Sequence, residues 1–264
     1  ILPEHFMPAF ERGMSLHEAE IDAITSNKDE ATFENTILAY DNAGQMLAQT
    51  ELVFGMLCAA ETNDRMQALQ EQAMPLLAAH RDKIRLDDKL FVRVKEVYDR
   101  RAALGLDAEQ MRLLQKTYDS FVRAGALLDA EQKARLKEIN GQLSLTAVKF
   151  GNNILAENNN FVLELKSDEL DGLPAGIRDA AREKAQQMGK GDKWVFTLHK
   201  PSLIPLLTYS TRRDLREKIY KAYLNRCNNG DEYDNKQLIN DFIRLRTEKA
   251  HLLGYPSYAA YVVD

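Results

Sequence analysis

Apolar residues recur along most of this chain at alternating three- and four-residue steps, the spacing that lines one face of a helix. Between Thr32 and Ala60 the positions Phe33, Ile37, Tyr40, Gly44 and Leu47 keep that step, and Phe54 and Cys58 resume it. From Asp129 to about Asn158 the stripe is Leu136, Ile139, Leu143, Phe150 and Ile154. Two more follow, one through Leu215, Ile219 and Ala222 and one through Leu238, Phe242, Leu245 and Leu252. Residues suited to starting helices fall in phase with these stripes. Asp107 with Gln110, Asp129 with Gln132 and Asp234 with Gln237 each place an acceptor at a cap position and a glutamine three residues on, the capping-box pattern. Thr32 and Thr211 are further expected caps.

Strand character is confined to residues 161–165 (FVLEL) and 193–198 (KWVFTL), which carry β-branched and aromatic residues with partial alternation. A helical stretch, Asp179 to Met188, lies between them and ends at Gly189-Lys190-Gly191. The expected fold is therefore mainly α, many helices with one small inserted strand pair. Pro201 and Pro205 are expected to bracket a short turn of helix. Glu157-Asn158-Asn159-Asn160 reads as an internal loop, since no Ser/Gly-rich linker divides the chain and no repeat period appears.

The chain's 264 residues suffice for one large core or two modest ones. A net charge of -5 argues against a nucleic-acid partner, which calls for a basic excess. The longest apolar run, Leu52 to Ala60, is far below the roughly 20 residues that span a bilayer, so no membrane role is expected. The chain starts at Ile1 and not at Met, so an upstream segment is expected, and the compartment stays open between cytoplasm and periplasm. Cys58 and Cys227 are read as two thiols with no disulfide between them.

Catalytic signatures are sparse. Two imidazoles one helical turn apart, with a glutamate beside the first, would hold a zinc ion and deprotonate its water. The histidines are His5, His17, His80, His199 and His251, and no two are four residues apart. His17-Glu18 begins such a motif, but its fifth position is Ile21. No serine sits in a G-x-S-x-G elbow. Gly189–Lys193 (GKGDK) precedes a strand and reads as a tight turn, not a phosphate loop. Cys227 has no histidine near it in sequence to activate it. The most distinctive polar segment is Asn225–Asp234 (NRCNNGDEYD). Its structural reading is a helix end at Asn229-Gly230 followed by a cap at Asp234. Its functional reading is that Arg226, Asn229 or Tyr233 faces a peptide channel and hydrogen-bonds a substrate backbone.

Residues 198–261, with their proline-bracketed helix, polar loop, second helix and Gly254-Tyr255-Pro256, resemble the thimet-oligopeptidase and peptidyl-dipeptidase family of zinc metallopeptidases. His5–Phe10 (HFMPAF), Thr32–Ile37 (TFENTI), Phe150–Leu155 (FGNNIL) and Trp194–Leu198 (WVFTL) continue the likeness in family order over essentially the whole chain. The wording Asn228-Asn229-Gly230 through Asp234-Asn235-Lys236 is closer to bacterial peptidyl-dipeptidases, also called dipeptidyl carboxypeptidases. The resemblance implies a helical fold split by a deep channel with zinc at its floor, acting on short peptides and releasing C-terminal dipeptides. It implies that residues 1–264 are the N-terminal helical region, one wall of that channel. Its own catalytic region, downstream of 264, would be its main partner. No zinc ligand or general base of the family falls on a residue here, so this part alone is expected to bind no catalytic zinc and to be inactive. A competing reading is a non-catalytic helical module that binds peptides or a protein, and a weaker third is a hydrolase using other residues. Phe242, Leu245 and Leu252 are expected to form an exposed patch that drives self-association.

Overall fold

The computed structural model describes residues 1–264. A short 3-10 turn, Pro3–His5, leads into α1 (Phe6–Ser26), and a π-helical turn, Phe33–Leu38, runs into α2 (Ala39–Asp41). Then come α3 (Gln45–Ala60), α4 (Asp64–Arg85), α5 (Asp88–Asp99), α6 (Ala108–Ala124) and the long α7 (Ala130–Asn160). The remainder is β1 (Leu163–Leu165), α8 (Ala175–Gln187), β2 (Trp194–Phe196), α9 (Lys200–Tyr209), α10 (Arg213–Leu224), α11 (Lys236–Leu252) and α12 (Tyr258–Val263). The mainly α class with one strand pair is the observed fold. No helix is long and apolar enough to cross a membrane.

The chain forms two compact units, one of residues 1–148 and 242–264 and the other of residues 149–241. The sequence boundaries fall inside α7 and inside α11. Glu157–Asn160, expected as a loop, is instead the last turn of α7.

The first unit has two apolar centres. One gathers Phe6, Phe10, Leu47, Phe54, Met66, Ala73 and Leu77. The other gathers Ile21, Ile24, Phe33, Ile37, Leu90, Val94, Leu114 and Phe121. Helix α1 serves both, its first turns packing in one and its last turns in the other. Each such fully buried Leu, Ile or Phe contributes about 1.5–3 kcal/mol from the water it sheds. The stripe expected from Phe33 to Leu47, and resumed at Phe54, is divided between these centres. Phe33 and Ile37 belong to one and Leu47 and Phe54 to the other. The break lies at Gly44, whose φ of 74° is left-handed. A Cβ there would also lie 2.9 Å from the His17 ring, so only glycine fits both the turn and the space. The 3.6-residue period survived the break by coincidence of loop length.

The expected caps mostly appear as drawn. Thr32 accepts from the Asn35 amide, and Asp107 and Asp129 form boxes with Gln110 and Gln132. Two differ. Thr211 turns its hydroxyl to Asp171, 2.5 Å from Oδ2, and α10 starts after Arg212 with no side-chain cap. Before α11 the Ile239 amide donates to the Asn235 carbonyl, so Asn235 and not Asp234 holds the cap position. Pro256 lies just before Ser257, whose hydroxyl caps α12.

In the second unit β1 and β2 pair antiparallel, with Leu163 opposite Phe196 and Leu165 opposite Trp194. A two-stranded ribbon of this length does not hold alone. Leu163, Leu165 and Phe196 are covered by Ala181 of α8, Leu203 and Leu206 of α9, and Leu215 and Ile219 of α10. Helix α9 is longer than the short turn expected from its prolines: Pro201 sits in its first turn and Pro205 within it.

The three residues expected to form an apolar patch on α11 are largely covered. Leu245 is only 1% exposed, and Phe242 and Leu252 are half-buried, so α11 covers this stripe inside the folded chain.

Candidate functional site

Residues 225–235 join α10 to α11 and are fixed by side chains at nearly every step. Helix α10 ends at Leu224, and the chain first turns left-handed at Cys227, whose φ of 55° is the sole positive value on a non-glycine residue. The helix end therefore lies earlier than the Asn229-Gly230 expected from sequence. Gly230 is left-handed further on, with φ of 73°. The Asn235 amide donates to the Cys227 carbonyl at 2.8 Å, closing the loop at its base. Asp234 then collects the loop's interior: its carboxylate accepts from the Gly230 amide at 2.8 Å and the Lys236 amide at 2.9 Å. The Lys236 ammonium first, and then those amide bonds, favour the charged form, and the carboxyl is pushed down to about 2.

The last turns of α7 brace the loop. Asn153 donates to Asn235 Oδ1 at 2.8 Å, both amides buried, and Asn235 Nδ2 donates to the Phe150 carbonyl at 3.2 Å. Satisfied amides in a dry setting fix one geometry, because either left alone would cost its lost hydration. Arg226 donates to Asn158 Oδ1 at 3.0 Å and to the Tyr223 carbonyl at 2.9 Å, while its guanidinium lies 3.8 Å from the Tyr223 ring centre. Asn229 donates to both Glu157 oxygens, at 2.8 and 3.1 Å. The Tyr233 amide donates to Asp231, and its ring is half-buried. A cavity of about 410 Å³ opens beside the loop, lined by Phe150, Ile154, Tyr223, Arg226, Asn235 and Ile239 among others. Of the three residues singled out from sequence, only Arg226 lines it. Cys227 also lines it, but burial and the neighbouring Glu157 raise the thiol above its ordinary range, which leaves it protonated and a poor nucleophile.

Zinc chemistry needs three converging donors at least. No group of three or more His, Cys, Asp or Glu side chains is arranged to hold a metal ion. The nearest approach joins residues far apart in sequence: His17 Nδ1 and His80 Nε2 share a hydrogen bond at 3.0 Å. Glu18 Oε1 stands 3.5 Å from the other His80 nitrogen and pairs with Lys83 at 2.8 Å. Glu20 accepts from the Gly44 amide at 2.7 Å. The two imidazoles spend their facing nitrogens on each other, and a third ligand is missing from that side. These residues do not fit a catalytic zinc. No sequence pattern pointed to this pair, since 63 residues separate its members.

Residues 206–264, from α9 through the braced loop to the last helix, match peptidase family M3. Dipeptidyl carboxypeptidase of Escherichia coli (strain K12) is 36% identical over 264 residues, covering 100% of this chain and 39% of the relative. The protein of that name in Salmonella typhimurium is 34% identical over 258 residues, and oligopeptidase A of E. coli is 25% identical over 264. The chain is thus similar to the family M3 peptidases. Among them it is similar to bacterial dipeptidyl carboxypeptidases, and it spans 39% of the length of the E. coli one.

Proposed function

We propose that this chain is the N-terminal, non-catalytic region of a zinc-dependent peptidyl-dipeptidase that releases dipeptides from the C-terminus of short peptides. The reading rests on one observation above others. Identity to a dipeptidyl carboxypeptidase runs through the whole chain yet reaches only 39% of that relative. The family's zinc and its general base then belong to a region outside this sequence, which is the chain's principal partner. The loop 225–235 forms part of the wall of the peptide channel. Its stiffness suits that work, because a wall that is fixed beforehand loses no ordering entropy when a peptide enters. Tyr233 presents its ring, Arg226 its remaining guanidinium donors, and Asn229 holds the loop's crest through Glu157.

The test combines sequence and assay. The gene is read downstream for H-E-x-x-H, and the chain is purified alone and together with the downstream polypeptide. The expected outcome is no dipeptide release by the chain alone and chelator-sensitive release by the combination. Tyr233→Ala in the combination should raise KM more than it lowers kcat, as expected for a residue that binds ground state and transition state alike. Dipeptide release by the isolated chain, or a combination indifferent to chelator, would overturn the reading.

A further inference from the structure

A second cavity lies in the first unit, away from the loop. It measures about 350 Å³, within the range of small-ligand pockets. Four cations line it: Arg81 and Arg85 from α4, and Arg246 and Lys249 from α11. One carboxylate, Asp82, faces them. In a chain with a net charge of -5, this is a local inversion of sign.

The lone carboxylate does not neutralise them. Asn140 Nδ2 donates to both Asp82 oxygens, at 2.9 and 3.0 Å, while Asn140 Oδ1 accepts from Lys249 Nζ at 2.7 Å. The amide thus stands between acid and ammonium, and the ion pair they would make is replaced by two neutral-to-charged bonds. Lys249 is depressed below the ordinary lysine range by burial, which outweighs the pull of Asp82, and Arg85 adds a smaller like-charge repulsion. Three of these cations are exposed and Lys249 is half-buried, and the like-charge repulsion among them is what a bound anion would relieve.

The walls also carry flat apolar surface. Tyr258 and Tyr261 line the cavity, and Arg246 is stacked between Phe242 and Tyr258, 4.7 and 5.1 Å from their ring centres. Such stacking fixes the plane of the guanidinium while its N–H edge stays available, the geometry that grips an oxyanion bidentately. A free rim arginine would lack this constraint.

We propose that this cavity binds an organic phosphate, its phosphate held by Arg246, Lys249 and the α4 arginines and its planar body laid against Tyr258 and Tyr261. A phosphate suits the site better than a single carboxylate because several cations surround it and its charge approaches two at neutral pH. The inference is independent of the peptidase reading, since no residue of the loop 225–235 takes part.

Titration calorimetry on the intact chain at low salt, with AMP, inorganic phosphate, adenosine and an acetylated dipeptide as probes, tests this. The expected result is saturable AMP binding, weaker phosphate binding, and none by uncharged adenosine. Added salt should weaken AMP, because neutralised charges are screened. Arg246→Gln should cost AMP about tenfold or more in affinity, the scale of one lost charge-assisted contact. Arg85→Gln, which leaves the aromatic stack intact, should also weaken it, and circular dichroism should show both variants folded. Absence of AMP and phosphate binding at millimolar concentration would overturn the proposal. So would AMP binding indifferent to both substitutions, or dipeptide binding as tight as that of AMP.

Discussion

His17 and His80 meet ring to ring with 5.1 Å between centres, and both are pushed below the ordinary histidine range near 6.5. Burial is the first cause in each. At His17 the neighbouring His80 adds to it, and Glu20 and Glu18 oppose it; at His80, Glu18 and Glu51 oppose it and Lys83 adds. Unfolded histidines take up protons first, so the pair's full contribution to stability is present above about pH 6.5 and is lost as the pH falls through the depressed folded values. Melting temperature measured from pH 7.5 down to 5 should therefore fall, and His80→Gln should flatten that fall. A variant whose melting temperature tracks pH as steeply as the parent would show that other groups carry the effect. The glutamine keeps a donor toward His17, which separates lost titration from lost packing.

At the scale of elements, helix starts were legible where the whole device was local. The Asp107 box at the head of α6 is complete, with Gln110 N to Asp107 at 2.8 Å and Asp107 N to Gln110 at 3.1 Å. Asp107→Ala should destabilise by about 1 kcal/mol in denaturant titration, and Asp107→Asn by much less. A loss near zero for alanine would mean that packing of Leu114 and Phe121 alone sets the start of α6. Asp234 shows where local reading stops. Its sequence repeats the box, but the Asn153–Asn235 amide contact and the Cys227 carbonyl fix Asn235 instead. Thr211 was drawn away in the same manner by Asp171, 40 residues earlier. Partners from distant parts of the chain outcompete a cap worth about 1 kcal/mol in both cases, through a buried amide contact at Asn235 and an exposed bond at Thr211.

At the scale of the whole molecule, class and kinship were readable because they rest on period and word order. The partition into two units was not. Both sequence boundaries fall inside continuous helices, where no composition shift or linker residue announces them. The apolar stripe of α11 looked exposed because its cover comes from residues distant in sequence. The same is true of chemistry assembled from afar: Arg81 and Arg85 join Arg246 and Lys249 only once the chain has folded. Of the loop residues chosen from sequence, Arg226 was found at a cavity because it sits beside the helix end that shapes it. Asn229 and Tyr233 stand at the crest instead.

The bracing of that crest also governs how this protein ages. Asn-Gly steps lose ammonia when the glycine amide nitrogen attacks the asparagine side-chain carbonyl, which requires both groups to turn freely. Here the Gly230 N–H is held by Asp234 and the Asn229 side chain by Glu157. The folded chain should keep Asn229 intact on long storage near neutral pH, while the denatured chain converts it to aspartate and isoaspartate. Peptide mapping of stored native and urea-held samples reads the difference, and equal conversion in both would mean the loop opens freely. Glu157→Gln should leave the fold in place yet hasten the loss. Asn229 then serves as a built-in clock for how often the loop lets go of α7.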